Sequence, residues 1–160
     1  MKRIFFAFGF LLSVGFLFAQ TSAPLQTPQF YDVKTLKATP VKNQAMTGTC
    51  WCFATTSLVE SEEIRRDKQE IDLSEMFTVR NIYIEKAKNY ILRGGKAQFG
   101  EGGLGHDEIH AAALYGAVPV AEYSGLINGE KSYNHQKLFN ELQHYLDSTL
   151  KKQPIASNWL

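Results

Sequence analysis

Residues 44–55 read QAMTGTCWCFAT, and this stretch constrains the chain more than any other. Gly48 stands two positions before Cys50 and gives a loop tight enough for backbone to approach a ligand closely. The following run, WCFATTSLVESEEIRR, reads as a helix. Phe53, Ser57 and Ser61, with Ala54 and Leu58 beside them, form a small-to-apolar stripe at helical spacing. Glu60, Glu62, Glu63, Arg65 and Arg66 give the opposite face its charge. Cys50 therefore sits where a loop becomes a helix. Unpaired N–H groups and the helix dipole at such a place favour a thiolate, the nucleophilic form of cysteine. Gln44 lies six residues upstream on the loop. Its neutral amide, with the N–H of Cys50, can stabilise the oxyanion of a tetrahedral intermediate.

A lone cysteine beside a tryptophan is usually a small buried hydrophobe. The combination of Gln, five intervening residues, Cys-Trp, and a glycine two before the cysteine reverses those odds. This pattern, with the preceding PVKNQ of residues 40–44, resembles the papain-like cysteine peptidase superfamily. Two departures stand out. Thr47 occupies a position where such enzymes often carry a second cysteine, and Thr49 one where they carry serine or alanine. Thr47 removes a disulfide partner without touching the nucleophile. A disulfide-free form of the fold, the run DLSEMFTVRNIYIEKAKNYI (72–91) and the later FGEGGLGHD are similar to the bleomycin hydrolase and aminopeptidase C branch.

The resemblance implies an α+β papain-like fold, of which this chain covers mainly the α-helical N-terminal half. It implies that Cys50 is the nucleophile, Gln44 the oxyanion donor, and that Trp51 packs behind the site. It also implies a peptide substrate bound along Gly102 and Gly103, and hexameric assembly of the kind relatives of that branch form.

Residues 1–19 carry Lys2 and Arg3, then an apolar run from Ile4 to Phe18, then Ala19. This is a signal-peptide pattern and predicts export to the periplasm or medium, with cleavage near Ala19–Gln20. The run is short for a stable membrane span; an uncleaved N-terminal anchor is the alternative. Residues 20–39 are polar, contain Pro24 and Pro28, and read as an extended lead-in to a domain over residues 40–160. Losing Lys2 and Arg3 from the 17 basic residues leaves 15 against 16 acidic, a formal charge near −1 that gives no argument for nucleic acid.

Cys50 and Cys52 are two apart at a helix start, where side chains do not face one another, so both thiols are expected free and Cys52 buried in packing. Ser74 reads as the N-cap of a helix whose Met76, Val79, Tyr83, Ala87 and Tyr90 form a core stripe and which ends at Gly94–Gly95. Gly100, Gly102, Gly103 and Gly105 make a loop with little side-chain bulk, able to offer backbone to an extended peptide. It lacks the G-K-[ST] ending of a phosphate loop. His106 and His110 lie four apart, but Asp107 stands where a zinc-peptidase helix needs glutamate, so no metal or other cofactor is expected. Asp107 and Glu108 are expected to serve the helix N-terminus. Residues 133–151 read as a last amphipathic helix with Leu138, Leu142, Tyr145, Leu146 and Leu150 on its apolar face. His135 and His144 lie on or near it and read as surface or packing residues.

A cysteine peptidase needs a histidine partner and an orienting Asn or Asp. In papain-like enzymes these follow the cysteine by roughly 130–150 residues, in the β-rich half. That count passes Leu160, so the chain is expected to stop before them, as an incomplete domain. The expected function is a thiol peptidase of aminopeptidase type, acting through a thioester. The alternative is an inactive half-domain that binds peptide or a partner chain.

Overall fold

A computed structural model describes residues 27–152. The predicted signal segment, residues 1–19, lies outside them. The chain divides into two compact units, Met1–Thr35 and Leu36–Leu160. Of the first, residues 27–35 are described; they are exposed and carry no regular structure. Among its described residues the second holds four helices: α1 (Cys50–Asp67), α2 (Glu75–Leu92), α3 (Gly105–Tyr115) and α4 (Gln136–Lys151). Among the described residues there is no β-strand, only isolated bridges joining Met46 to Asn134 and Leu73 to Pro119. This helical content is what the N-terminal half of a papain-like fold would supply. No described helix is long and apolar enough to cross a membrane.

Helix α1 begins at Cys50, as the loop-to-helix reading expects, but a different face of it is buried. Trp51, Cys52, Thr56, Glu60 and Ile64 point inward. Ala54 and Leu58 of the expected stripe are exposed, Leu58 by 61%. Phe53 is half-buried, its ring edge-on to Tyr133 with centroids 6.4 Å apart. Glu60, expected on the charged outer face, is 1% exposed. The reason lies outside the helix. Lys42, on the loop before α1, places its ammonium 2.9 Å from Glu60 Oε1, 2.7 Å from Asp72 Oδ1 and 2.8 Å from Glu75 Oε1. It also donates to the carbonyl of Leu73 at 3.0 Å. Glu60 accepts further from Thr39 Oγ1 at 2.6 Å and Leu73 N at 2.7 Å. Burial works against the charge on Lys42. Hydrogen bonds to Asp72, Glu75 and Glu60 outweigh it and hold the ammonium well above the ordinary lysine value. A buried carboxylate becomes tolerable once it is paired and its lone pairs are filled.

Helix α2 starts as its sequence predicts, with Ser74 Oγ accepting from Phe77 N at 3.1 Å. Met76, Val79 and Tyr83 of the expected stripe are buried, and Ile82 and Ile91 join them. The helix ends in a Schellman motif: Gly94 N donates to Ile91 O and Gly95 N to Tyr90 O, both at 2.9 Å. Both glycines take positive φ, 59° and 77°, where a side chain would be strained.

Helix α4 begins three residues later than the sequence suggested. Tyr133 O accepts from Met46 N and His135 N donates to Met46 O, both at 3.1 Å, so residues 133–135 pair with the loop before Cys50. The apolar face also turns. Leu146 is buried, but Leu138 and Tyr145 are exposed, and Phe139 takes the inward position. Its ring stacks on Phe99, with centroids 4.6 Å apart, and meets Tyr83 edge-on at 5.6 Å. After α3 the chain is tied back by Ser74 N to Val118 O and Val120 N to Asp72 O, both 2.9 Å.

Replacing Lys42 by Met leaves the Glu60 and Glu75 carboxylates buried without their cation. Urea denaturation is expected to show a loss on the order of 3 kcal/mol. A loss within ~0.5 kcal/mol, the usual range for a surface change, would show that the cluster does not hold α1 to α2.

Candidate active site

Cys50 is exposed at the first position of α1, while Cys52, two residues on, is completely buried. Both thiols are free, as expected. The first turn of α1 carries no acidic residue of its own. Thr49 precedes Cys50, is fully buried, and provides the carbonyl for Cys52 N at 2.9 Å and Phe53 N at 3.2 Å.

The loop before Cys50 is closed by its own side chains. Gln44 Nε2 donates to Thr47 O at 2.6 Å, and Thr47 Oγ1 donates back to Gln44 O at 2.9 Å. Thr47 Oγ1 also lies 2.6 Å from Thr49 Oγ1. Thr47 is thus more than a lost disulfide partner: its hydroxyl braces the loop to both Gln44 and Thr49. A glutamine amide carries two hydrogens, so Gln44 has one committed to Thr47 and one left to donate.

A second set of contacts joins this loop to the glycine loop. Glu101 Oε2 accepts from Gly48 N at 2.7 Å. The Trp51 indole N–H donates to Glu101 O at 3.1 Å. Trp51 is buried, and Gly103 rests on its ring so closely that a Cβ there would lie 2.7 Å from Trp51 and 2.9 Å from Asp107 Oδ2. Trp51 therefore packs beneath Gly103. Gly48 is similarly confined, since a Cβ on it would meet Glu101 Cβ at 2.9 Å. Gly102 is exposed with open space around it. From α2, Lys86 Nζ donates to Gly100 O at 3.0 Å and also to Gly102 O. It stands 5.9 Å from the Trp51 ring centroid.

Asp107 serves the N-terminus of α3 as expected, its Oδ2 accepting from Leu104 N at 2.8 Å. Glu108 does not. It turns inward, accepting from Cys52 Sγ at 2.9 Å and Thr78 Oγ1 at 3.2 Å, and so ties α3 to α1 and α2. The carboxylate of Glu108 is held by these donors of α1 and α2 instead of by the backbone at the helix end. Burial raises its carboxyl above the ordinary value, against hydrogen bonds from Cys52, Thr78 and Thr56. Burial, then the charge of Glu108, pushes the Cys52 thiol far up and keeps it protonated.

His135 packs edge-on against Tyr83, with ring centroids 5.7 Å apart. Its Nδ1 is 3.2 Å from Tyr83 Oη and 3.9 Å from Glu101 Oε2. Burial lowers its affinity for a proton, with Glu101 opposing. His106 is exposed and sits 3.3 Å from Asp107 Oδ1. Among the described residues, no histidine is hydrogen-bonded to Cys50. The structure thus gathers Gln44, Cys50, Trp51 and Gly103 around one pair of loops. Sequence reasoning missed Lys86 and Glu101, and it placed Glu108 at the helix N-terminus. Each is an ordinary charge in its helix or loop.

Residues 27–81 match the family model described as papain family cysteine protease. That stretch includes Gln44, Cys50 and Trp51 but not the glycine loop. The chain is also similar to proteins named viral cathepsin. That of Autographa californica nuclear polyhedrosis virus is 33% identical over 98 residues, 61% of this chain and 27% of the relative. That of Heliothis zea nuclear polyhedrosis virus is 40% identical over 52 residues, 32% of this chain and 14% of the relative. For Lymantria dispar multicapsid nuclear polyhedrosis virus the figures are 51% over 39 residues, 24% and 11%. The chain thus spans about a quarter, or less, of the length of these relatives. These matches support the papain-like superfamily and a cysteine peptidase resemblance for the segment around Cys50.

Glu108 gives a pH test. A carboxyl raised in the folded state contributes stability that is full below its ordinary value of 4.5 and is lost as pH rises through the folded value. Glu108→Gln cannot ionise. Urea midpoints measured from pH 4.5 upward should therefore fall for wild type relative to the variant. Parallel curves would show that Glu108 does not titrate in this window.

Proposed function

We propose that this chain carries the nucleophile side of a cysteine-type peptidase. The observation that supports it most directly is the contrast between two nearby thiols: Cys50 exposed at a helix start, Cys52 sealed in the core. In this reading the Cys50 thiolate attacks a peptide carbonyl carbon. The oxyanion that forms is stabilised by the backbone N–H of Cys50 and the second amide hydrogen of Gln44. Collapse releases the amine, protonated by a histidine, and leaves a thioester that water hydrolyses. The substrate runs along the Gly102–Gly103 loop, with Trp51 packed beneath it.

The finer reading is an aminopeptidase of the bleomycin hydrolase type, exported by residues 1–19 and assembled as an oligomer. It rests on the sequence resemblance of residues 72–91 and of the glycine loop. Hydrolysis of peptides with a free N-terminus but not of N-blocked ones supports the aminopeptidase assignment; the reverse pattern points to an endopeptidase. A second reading follows from the lack of a histidine hydrogen-bonded to Cys50 among the described residues. In it, the chain binds peptides through the glycine loop without cleaving them.

The test is peptide hydrolysis by the protein purified from its natural source, compared with Cys50→Ala made in the same host. Loss of at least ~10³-fold in kcat/KM is expected for the variant. Hydrolysis that survives in Cys50→Ala would remove Cys50 as the nucleophile. Hydrolysis missing from both, with peptide binding retained, would favour the second reading. Iodoacetamide adds a check on the folded chain: it should modify Cys50 and spare Cys52 until denaturant is added.

A further inference from the structure

The three carbonyls of residues 100–102 are all occupied from inside the fold. Lys86 Nζ takes those of Gly100 and Gly102, and the Trp51 indole takes that of Glu101. The Glu101 side chain is held as well, by Gly48 N. Among the described residues, the N–H and C=O of Gly103 have no hydrogen-bond partner. One residue with a free donor and a free acceptor is what an extended peptide needs to add as a strand. Gly103 cannot drift inward, because the Trp51 ring blocks it. Gly102 has no such wall, and its position depends on the bond to Lys86.

Lys86 stands out among the lysines of α2. Its ammonium is drawn off the surface onto backbone oxygens and over an indole ring, where Lys88 only approaches Glu85 at 3.9 Å. Burial weakens its hold on the proton, with Asp107 opposing. Such a placement is unfavourable unless the bonds it makes repay desolvation.

We propose that Lys86 is a positioning residue for peptide binding: by pinning the carbonyls of Gly100 and Gly102 it fixes the glycine loop, leaving Gly103 as the open backbone edge. The proposal rests on the reading of this loop as the peptide site. It adds a residue that does not touch substrate and acts through the loop. It also narrows the loop's role, since the carbonyl of Gly102 is engaged by Lys86.

The test uses two reagents with the same electrophile, an alanine chloromethyl ketone and its trialanine counterpart, each made in acetylated and in free-amine form. Each alkylates Cys50 with loss of chloride, the thiol proton passing to buffer. The ratio of their second-order rate constants reports recognition of the extended peptide, since the shorter reagent reports the thiol alone. Wild type should prefer the longer reagent, and Lys86→Met should lower that ratio about tenfold, the worth of one charged hydrogen bond. The rate with the short reagent should be unchanged. Lys86→Arg, which keeps charge and donors, should restore most of the ratio. A wild-type ratio in a folded Lys86→Met variant would overturn the proposal while leaving the peptide-site reading intact. A ratio near unity in wild type for both the acetylated and the free-amine pair would overturn both. If Lys86→Met fails to melt cooperatively, Lys86→Gln decides: it should fold and lose most of the ratio, and a ratio equal to wild type would reject the role.

Discussion

A single ammonium sets the geometry of this unit. Lys42 reaches from the loop before α1 to Glu60 on α1, Glu75 on α2 and Asp72 just before α2. Two of these carboxylates are almost fully buried, so the cation cannot leave without stranding them. The cluster thereby fixes the angle at which the loop enters α1, and with it the position of Cys50 eight residues later. Few apolar contacts could do this, because dispersion is non-directional while three charge-assisted bonds to one nitrogen define a point.

A second polar knot lies at the other end of the same face. Cys52, Thr78 and Glu108 meet from α1, α2 and α3. Around it, Met76, Val79, Ile82, Tyr83, Ala111 and Trp51 form the apolar core. Every hydrogen-bonding atom of the described buried side chains finds a partner. The helices are thus held by apolar contact and located by polar contact. The loops of the candidate site rest on this frame through Trp51, which packs in the core and also bonds to Glu101.

How much of this could be read in advance depends on the kind of signal. Ser74, Met76, Val79, Tyr83 and Gly94–Gly95 announced α2 because capping, periodicity and termination are local properties. Cys50 at a helix start was legible for the same reason. The face of α1 was not. Glu60 looks solvent-bound until Lys42, eighteen residues away, is brought against it. The start of α4 was misjudged because residues 133–135 pair with Met46, far earlier in the chain. Glu101 and Lys86 were invisible as site residues for a related reason: their partners are backbone atoms of loops, which carry no sequence signature.

The two cysteines also differ in how the chain can answer oxidation. Cys50 is open to solvent, whereas the Cys52 sulfur is enclosed and bonded to Glu108. A disulfide between them would require Cys52 to leave the core. Peroxide that converts Cys50 to a sulfenic acid therefore meets no accessible second thiol among the described residues. Condensation to a disulfide with Cys52, one usual rescue, is closed while the core stays packed. Burying Cys52 keeps its sulfur in the packing of three helices and removes it as a resolving partner for Cys50.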